Sequence, residues 1–322
     1  MTDKPLVSVI IPCFNAAAWI ERVLESCMEQ GPTLGEVIVV EDGSTDGSAE
    51  IVESVAARSG GVIRLISNPG KGGNAARNFG FENSRFDFIQ WLDADDFLLP
   101  GKFDAQLSTL EAQPDLDIVW SDWEERFHDA DGNRQASRNH DMATGEDLLL
   151  MLAADKWSVP ANYLMRRSLA ARVVAADGWN PARRVAQDRE FFTLAALFAR
   201  KASHVPGTFA VYNRQASGTV SGMEFGERLE LQMDLEARLR RDMEAHVSDP
   251  RILRALRRRL NSHTINAYFY NRRIRPRDCF WPWVIAPELI HWKKLAIYPA
   301  LYLGAMLNCL RGHRLAGTGR TK

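Results

Sequence analysis

Three polar clusters and one glycine-rich loop hold the residues of this 322-residue chain whose types and spacing can do chemistry. The densest is Trp91-Leu92-Asp93-Ala94-Asp95-Asp96. Carboxylates two residues apart at a strand end point to the same side, so Asp93 and Asp95 can act together. Hard carboxylate oxygens suit Mg²⁺ or Mn²⁺, and such an ion bridges phosphate oxygens. A capped turn without metal is the plainer reading of the same four residues. In Glu41-Asp42-Gly43-Ser44-Thr45-Asp46-Gly47, Asp42 can accept a hydrogen bond from a base edge, Gly43 permits a tight turn, and Asp46 is a candidate N-cap. A third polar stretch is Cys13-Phe14-Asn15. The loop Asn68-Pro69-Gly70-Lys71-Gly72-Gly73-Asn74 opens a helix that carries Arg77, and Lys71 or Arg77 can meet a diphosphate there. It lacks the GK[ST] of a P-loop and is no G-x-G-x-x-G after a first strand, which weakens nucleotide hydrolysis and dehydrogenase readings. The seven histidines show no metal-ligand spacing, and no G-x-S-x-G or catalytic Cys/His pattern occurs.

The elements that must position these clusters follow from hydrophobic period. Leu6–Ile11, Glu36–Val40, Val62–Ile66 and Phe86–Leu92 read as strands, rich in β-branched and aromatic residues. Ile20, Val23, Leu24, Cys27 and Met28 recur at helical spacing, as do Ile51, Val52, Val55 and Ala56; a third helix is expected over Asn74–Asn83. This alternation predicts an α/β fold with a parallel sheet and helices on its faces. Ligands bind such sheets at the carboxyl ends of the strands, where all three polar clusters fall. Further on, Asp117–Ser121 reads as a strand and His128–Thr144 as a mobile polar loop. Gly145–Ala154, Arg189–Ala199 and the chain from about Glu224 onward read as helical.

Charge divides the chain. Residues 251–322 hold fifteen Lys and Arg against two acidic residues, while the other 250 carry 25 against 39. Such a split predicts two parts with different surroundings. Cys13, Cys27, Cys279 and Cys309 are scattered and read as reduced, which fits a cytosolic protein. The N-terminal apolar run stops at Pro12, too short for a signal peptide, and no uncharged apolar run reaches about 18 residues.

As an ordered set, these segments resemble the family 2 glycosyltransferases with the GT-A fold. VSVIIPCFN matches the family's opening strand, VIVVEDGSTDGS its second block, NPGKGGNAARNFG its third and WLDADD its DxD motif. The likeness is closest over residues 6–100. It continues more loosely in Gln187-Asp188-Arg189-Glu190, similar to the family's [E/Q]-D-x-E block, and in Ala210–Arg214. The resemblance implies a GT-A type, Rossmann-like, mostly parallel sheet flanked by helices, with a C-terminal helical extension. Residues 1–115 would be the nucleotide-sugar half, 116–223 the acceptor half and 224–322 the basic extension. By the same resemblance, Pro12, Phe14, Asn15 and Asp42 would hold the nucleoside, with Glu41 beside them where the family usually has Asp. Asp93 would approach the ribose, Arg77 and Lys71 the diphosphate, Asp95 would ligate Mn²⁺ or Mg²⁺, and Asp188 would be the base. Phe14, Gln187, Thr193 and Gln215 depart from residues common in the family, the last two on the acceptor side.

The implied activity moves a sugar from a nucleotide-diphosphate donor, UDP being the commoner choice in the family, to an acceptor hydroxyl. In-line attack favours inversion. A saccharide or lipid-linked acceptor in cell-surface polysaccharide or glycolipid synthesis is expected. Two rivals stand beside it: a glycosidase using two carboxylates, and a catalytically silent GT-A-fold binding or scaffold protein at the membrane. Residues 251–310 mix Arg and Lys with Tyr268, Tyr270, Trp281, Trp283 and Trp292, a pattern suited to an anionic membrane surface. That would put the protein at the inner face of the cell membrane, peripheral rather than spanning. Packing of those aromatics on the protein itself is the alternative. With no recognition module visible, nucleic acid is not an expected partner.

Overall fold

The protein is described by a computed structural model covering residues 5–129, 132–142, 145, 147–154, 156, 158–214 and 225–259. The chain forms two compact units, Met1–Gly222 and Met223–Lys322. In the first, the order is β1 (Val7–Cys13), α1 (Ile20–Met28), β2 (Leu34–Glu41), α2 (Ser48–Arg58), β3 (Ile63–Ser67), α3 (Gly73–Glu82) and β4 (Phe88–Trp91). There follow β5 (Phe97–Leu98), α4 (Lys102–Ala112), β6 (Ile118–His128), β7 (Arg134–His140), α5 (Leu148–Ala153), β8 (Leu164–Arg166), α6 (Arg167–Ala175), α7 (Gln187–Phe198) and β9 (Ala202–Arg214).

One sheet runs β3-β2-β1-β4-β8-β6-β9-β5, with β7 paired to β6. The four strands expected from sequence, β1 to β4, pair in parallel. β1, β2 and β4 are covered on both faces, which is why they read as apolar runs, whereas β3 at the sheet edge is only partly buried. Beyond β4 the sheet is mixed: β8 is antiparallel to β4 and β6, while β9 lies parallel to β6 and antiparallel to β5. Helix α3 packs close on the first two strands because Gly80 has no side chain. A Cβ there would sit 2.5 Å from Ile10 Cγ2 and 3.1 Å from Val40 Cγ2.

Several expectations need correction. Where the sequence predicts a mobile loop over His128–Thr144, Arg134–His140 is β7, antiparallel to β6. Its residues are polar save Ala136 and all but the last exposed, so no apolar period marks it; the ladder to β6 supplies its order. The strand expected to end at Ser121 continues to His128. Asp46 is not the N-cap of α2: Gly47 holds that place with φ 87°. Asp46 instead accepts from Ser48 N at 3.1 Å and Ala17 N at 2.9 Å, tying the first strand's turn to α2. Cys13 and Cys27 are free and buried.

An aromatic cluster forms the floor beneath the strand ends. Trp91 meets Trp179 and Phe191 edge-on at 5.5 and 5.3 Å, Trp179 stacks on Phe191 at 4.2 Å, and Tyr163 stacks on Phe192 at 4.1 Å. Such pairs add about 0.5–1.5 kcal/mol each beyond area burial.

Lys102 is an exception in this core. Fully buried, it donates to Gln106 Oε1 at 2.5 Å and to the Asn162 carbonyl at 3.3 Å. Burial pushes its ammonium well below the usual lysine range. The folded state therefore sheds this proton at lower pH than the unfolded chain does. Between the two values the unfolded chain binds more protons, so stability rises as pH rises towards about 10. Lys102→Met lacks this term. In thermal melts from about pH 7 to about pH 10, the wild type is expected to gain several degrees relative to Lys102→Met. A constant gap across that range would show that Lys102 is charged in the fold.

In the second unit, α8 (Phe225–His246) buries Leu235, Leu239 and Met243 at i, i+4 and i+8. Residues 250–259 form a further helix, capped by Asp249, which accepts from Arg251 N at 2.8 Å. Arg257 pairs with Glu244 at 3.2 Å and Arg259 with Glu236 at 2.5 Å, joining the two helices. Arg251, Arg254, Arg257 and Arg258 are exposed. Residues 260–322 lie outside the described residues. With them fall Cys279, Cys309 and most of the region expected to meet a membrane. No described helix is long and apolar enough to cross a membrane.

Candidate active site

Each polar cluster follows a strand, and the hydrogen bonds show how the fold joins them. After β1, the chain turns at Asn15, whose φ of 48° is in the left-handed region that Asn tolerates. Asn15 Oδ1 accepts from Thr45 N at 2.9 Å, and Asn15 N donates to Ser44 Oγ at 3.1 Å. The β1 and β2 turns are thereby locked together. Pro12 lies within β1, in register with Val40. Phe14 between them is 56% exposed, one of two large apolar side chains so exposed among the described residues.

Glu41 ends β2 and folds over its own turn, accepting from Gly43 N at 2.9 Å and from Ser44 N. Burial alone would raise its carboxyl; these amides outweigh it and hold the group below the usual range. Asp42 uses both oxygens on the next loop: Oδ1 takes Asn68 Nδ2 at 2.6 Å and Oδ2 takes Gly72 N at 2.8 Å. Gly72 makes that bond with φ 88°, a backbone state a side chain would strain. Lys71 sits exposed beside it and makes no ion pair among the described residues.

From α3, Arg77 reaches Asp93 Oδ1 at 2.5 Å, lies 4.6 Å over the Trp179 ring, and points a second nitrogen at Gln187 Oε1, 3.5 Å away. Its Nε is buried with no hydrogen-bond partner. Asn74 and Asn78, on the same helix, hold the carbonyls of Asn180 and Trp179 at 2.7 and 2.9 Å. So α3 carries the segment that leads into α7.

Ala186 precedes α7 with φ 49°, a strained state for alanine. Asp188 lies in the helix's first turn, half-buried. The turn is fixed by Arg183 on Glu190 at 2.8 Å and by Arg189 on the Leu152 carbonyl at 2.7 Å. Tyr163 is close enough to Asp188 that, after burial, this charge helps push its phenol up.

The turn after β4 presents Asp93 and Asp95 half-buried and Asp96 fully buried. Burial first, then the charges of Asp95 and Asp93, push Asp96 well above the usual carboxylate range. Its Oδ2 has no hydrogen-bond partner, and its Oδ1 accepts from Asn213 N at 3.1 Å. Asn213 Nδ2 donates to the Asp95 carbonyl at 2.6 Å. Among the described residues, no three His, Cys, Asp or Glu side chains converge as a metal cage. The donor set nonetheless fits a hard cation that takes one or two carboxylates here and its remaining ligands from phosphate and water.

The fold thus links Asn15, Glu41, Asp42, Arg77 and Asp93, and through Arg77 the residue before Asp188. Sequence reading missed Asn68, Trp179 and Asn213, which hold these groups. Asn213 lies on β9, whose interior Pro206-Gly207 hides the strand pattern. Trp179 carried a signal in its Gly178-Trp179-Asn180-Pro181 turn, and nothing in sequence marks where its ring goes.

Comparison with known proteins agrees with this architecture. The profile of "Glycosyl transferase family 2" matches residues 8–220. An uncharacterized glycosyltransferase of Haemophilus influenzae is 33% identical over 132 residues, 41% of this chain and 52% of that protein. Escherichia coli YibD, another uncharacterized glycosyltransferase, is 32% identical over 164 residues, 49% of this chain and 47% of its own length. The chain spans about half the length of these curated relatives. S. aureus TarS 1–349 in complex with UDP-GlcNAc superposes with TM-score 0.60 at 17% identity, covering 85% of this chain and 77% of that one. A mannosyltransferase of Pyrobaculum calidifontis in complex with GDP-Man and Mn²⁺ gives 0.55 at 18%, covering 96% and 85%. At such identities the likeness is one of fold, the Rossmann-like GT-A sheet flanked by helices.

Proposed function

Because the chain belongs to glycosyl transferase family 2, we propose that it transfers a sugar from a nucleotide-diphosphate donor, a UDP-sugar, to an acceptor hydroxyl with inversion. One observation carries the reading: turns from β1, β2, β3 and β4 and the start of α7 are joined by Asn15–Thr45, Asp42–Gly72, Arg77–Asp93 and Arg77–Gln187. Four of the five turns end strands at the carboxyl edge, where α/β sheets bind ligands.

In this reading Phe14 stacks on the base, and Asp42, oriented by Asn68, accepts from a base edge, with Pro12, Asn15 and Glu41 shaping the nucleoside turn. Asp93 meets the ribose. Arg77, already desolvated, and Lys71 meet the diphosphate as cations. A Mg²⁺ or Mn²⁺ held by Asp95 supplies further positive charge to the departing diphosphate. Asp188 takes the acceptor hydroxyl proton. The acceptor oxygen then bonds the anomeric carbon as that carbon's bond to the diphosphate oxygen breaks, on the opposite face.

The acceptor is a saccharide or a lipid-linked saccharide, used in cell-surface polysaccharide or glycolipid synthesis. The exposed arginines of helix 250–259 support a peripheral site on an anionic, cytoplasmic membrane face. Melting temperature with nucleotide diphosphates and their sugars, with and without Mn²⁺, tests the donor assignment. A UDP-dependent rise that EDTA abolishes is expected; no response to any nucleotide refutes the reading.

Phe14 gives a sharper test. Because its ring is largely exposed, Phe14→Ala leaves the core intact. Base–aromatic stacking is worth about 1–3 kcal/mol. UDP affinity, measured by calorimetry, is therefore expected to fall about 5- to 160-fold at an unchanged melting temperature. Unchanged affinity would remove Phe14 from the donor site.

A further inference from the structure

The turn that presents Asp93, Asp95 and Asp96 is held from one side by Asn213, and Asn213 is held by His128. Asn213 Nδ2 donates to the Asp95 carbonyl at 2.6 Å, and its backbone N–H donates to Asp96 Oδ1 at 3.1 Å. A carbonyl only accepts, so the amide group of Asn213 must turn its nitrogen to Asp95 and its oxygen to His128. His128 Nε2 lies 2.9 Å from that oxygen. Its other nitrogen, Nδ1, lies 3.0 Å from the Gly132 carbonyl, again an acceptor. Asn213 Oδ1 can only accept, so Nε2 carries the proton of that bond. Trp19, which follows the β1 turn, meets the ring edge to face at 4.9 Å and limits its rotation.

We propose that His128 is a positioning residue for the carboxylate turn: its Nε2–H donates to Asn213 Oδ1 and fixes that amide, and Asn213 fixes Asp95 and Asp96. The brace links the start of α1, the β4 turn, β6 and β9, so donor binding at the β4 turn depends on a histidine that touches no substrate. Its effect on donor affinity rests on the glycosyltransferase reading above; the brace does not.

Three measurements on the full-length protein test it. In the free protein, ¹⁵N NMR of the His128 ring is expected to show the proton on Nε2 that Asn213 Oδ1 requires; an unprotonated Nε2 overturns the proposal. In calorimetry with UDP and Mn²⁺, His128→Ala and Asn213→Ala should each weaken binding about tenfold. The double variant should be no weaker than Asn213→Ala. His128→Gln, whose amide N–H still donates to Asn213, should recover most of the loss. Additive losses, or an affinity for His128→Ala equal to that of the wild type, overturn it. Exchange of the Asn213 and Asp96 amides should quicken about tenfold in His128→Ala, donor or no donor. Unchanged exchange overturns the brace, whereas a wild type that binds no nucleotide overturns only the donor reading.

Discussion

Asp188→Asn is expected to lower kcat by about 10²–10⁴ while leaving UDP affinity unchanged, since a base that acts only on the acceptor proton contributes in the transition state alone. The substitution keeps shape and removes the basic oxygen. Folding should survive it, because the first turn of α7 is fixed by Arg183 on Glu190 and by Arg189 on the Leu152 carbonyl. Steady-state kinetics with the donor found in the thermal screen, beside UDP calorimetry, separate the two effects. Loss of kcat with UDP binding intact assigns Asp188 to the chemical step. If turnover stays within about tenfold of the wild type, the base lies elsewhere. If nothing changes in the cell either, the scaffold reading gains.

Asp95→Asn should act on the other half of the reaction. The Mn²⁺-dependent part of UDP binding is expected to weaken about 100-fold, and kcat/KM to fall at least as far, because a neutral amide is a poor ligand for a hard cation. The structure makes this a clean test. Asn213 holds this turn through the backbone carbonyl of Asp95, which the change keeps, so the turn's brace survives. A melting temperature near that of the wild type, with the response to Mn²⁺ gone, would mark Asp95 as the metal ligand. Retention of the Mn²⁺ response would shift that role to another group. Asp96 offers no such test: it is fully buried, and replacing it would alter the core as well as the site.

Much of the first half was legible in the sequence, and the reason is local. β1, β2 and β4 are covered on both faces, so each reads as a short apolar run, and each polar turn follows a strand directly. The second half was less legible because its order comes from pairing. β7 has six exposed residues in seven and is ordered by the β6 ladder. β9 carries a Pro-Gly break yet runs thirteen residues beside β6. Arg77 shows the same limit at the level of one side chain. Its type and place announced a cation for a diphosphate, while its ion pair to Asp93, 16 positions on, and its stacking on Trp179, about a hundred positions on, are set by the tertiary fold.

By itself, the sequence determined the α/β alternation, the strand-end position of Asn15, Asp42 and Asp93, and the candidacy of Asp95 and Asp188, because spacing and residue type act over a few neighbours. Tertiary structure alone decided which atoms meet: that Asp42 holds Gly72, that Arg77 holds Asp93, and that a histidine on β6 steadies the β4 turn through Asn213. Those contacts span from 16 to more than 100 residues of chain. Only the closing of the sheet and the desolvation of its edge give them their geometry.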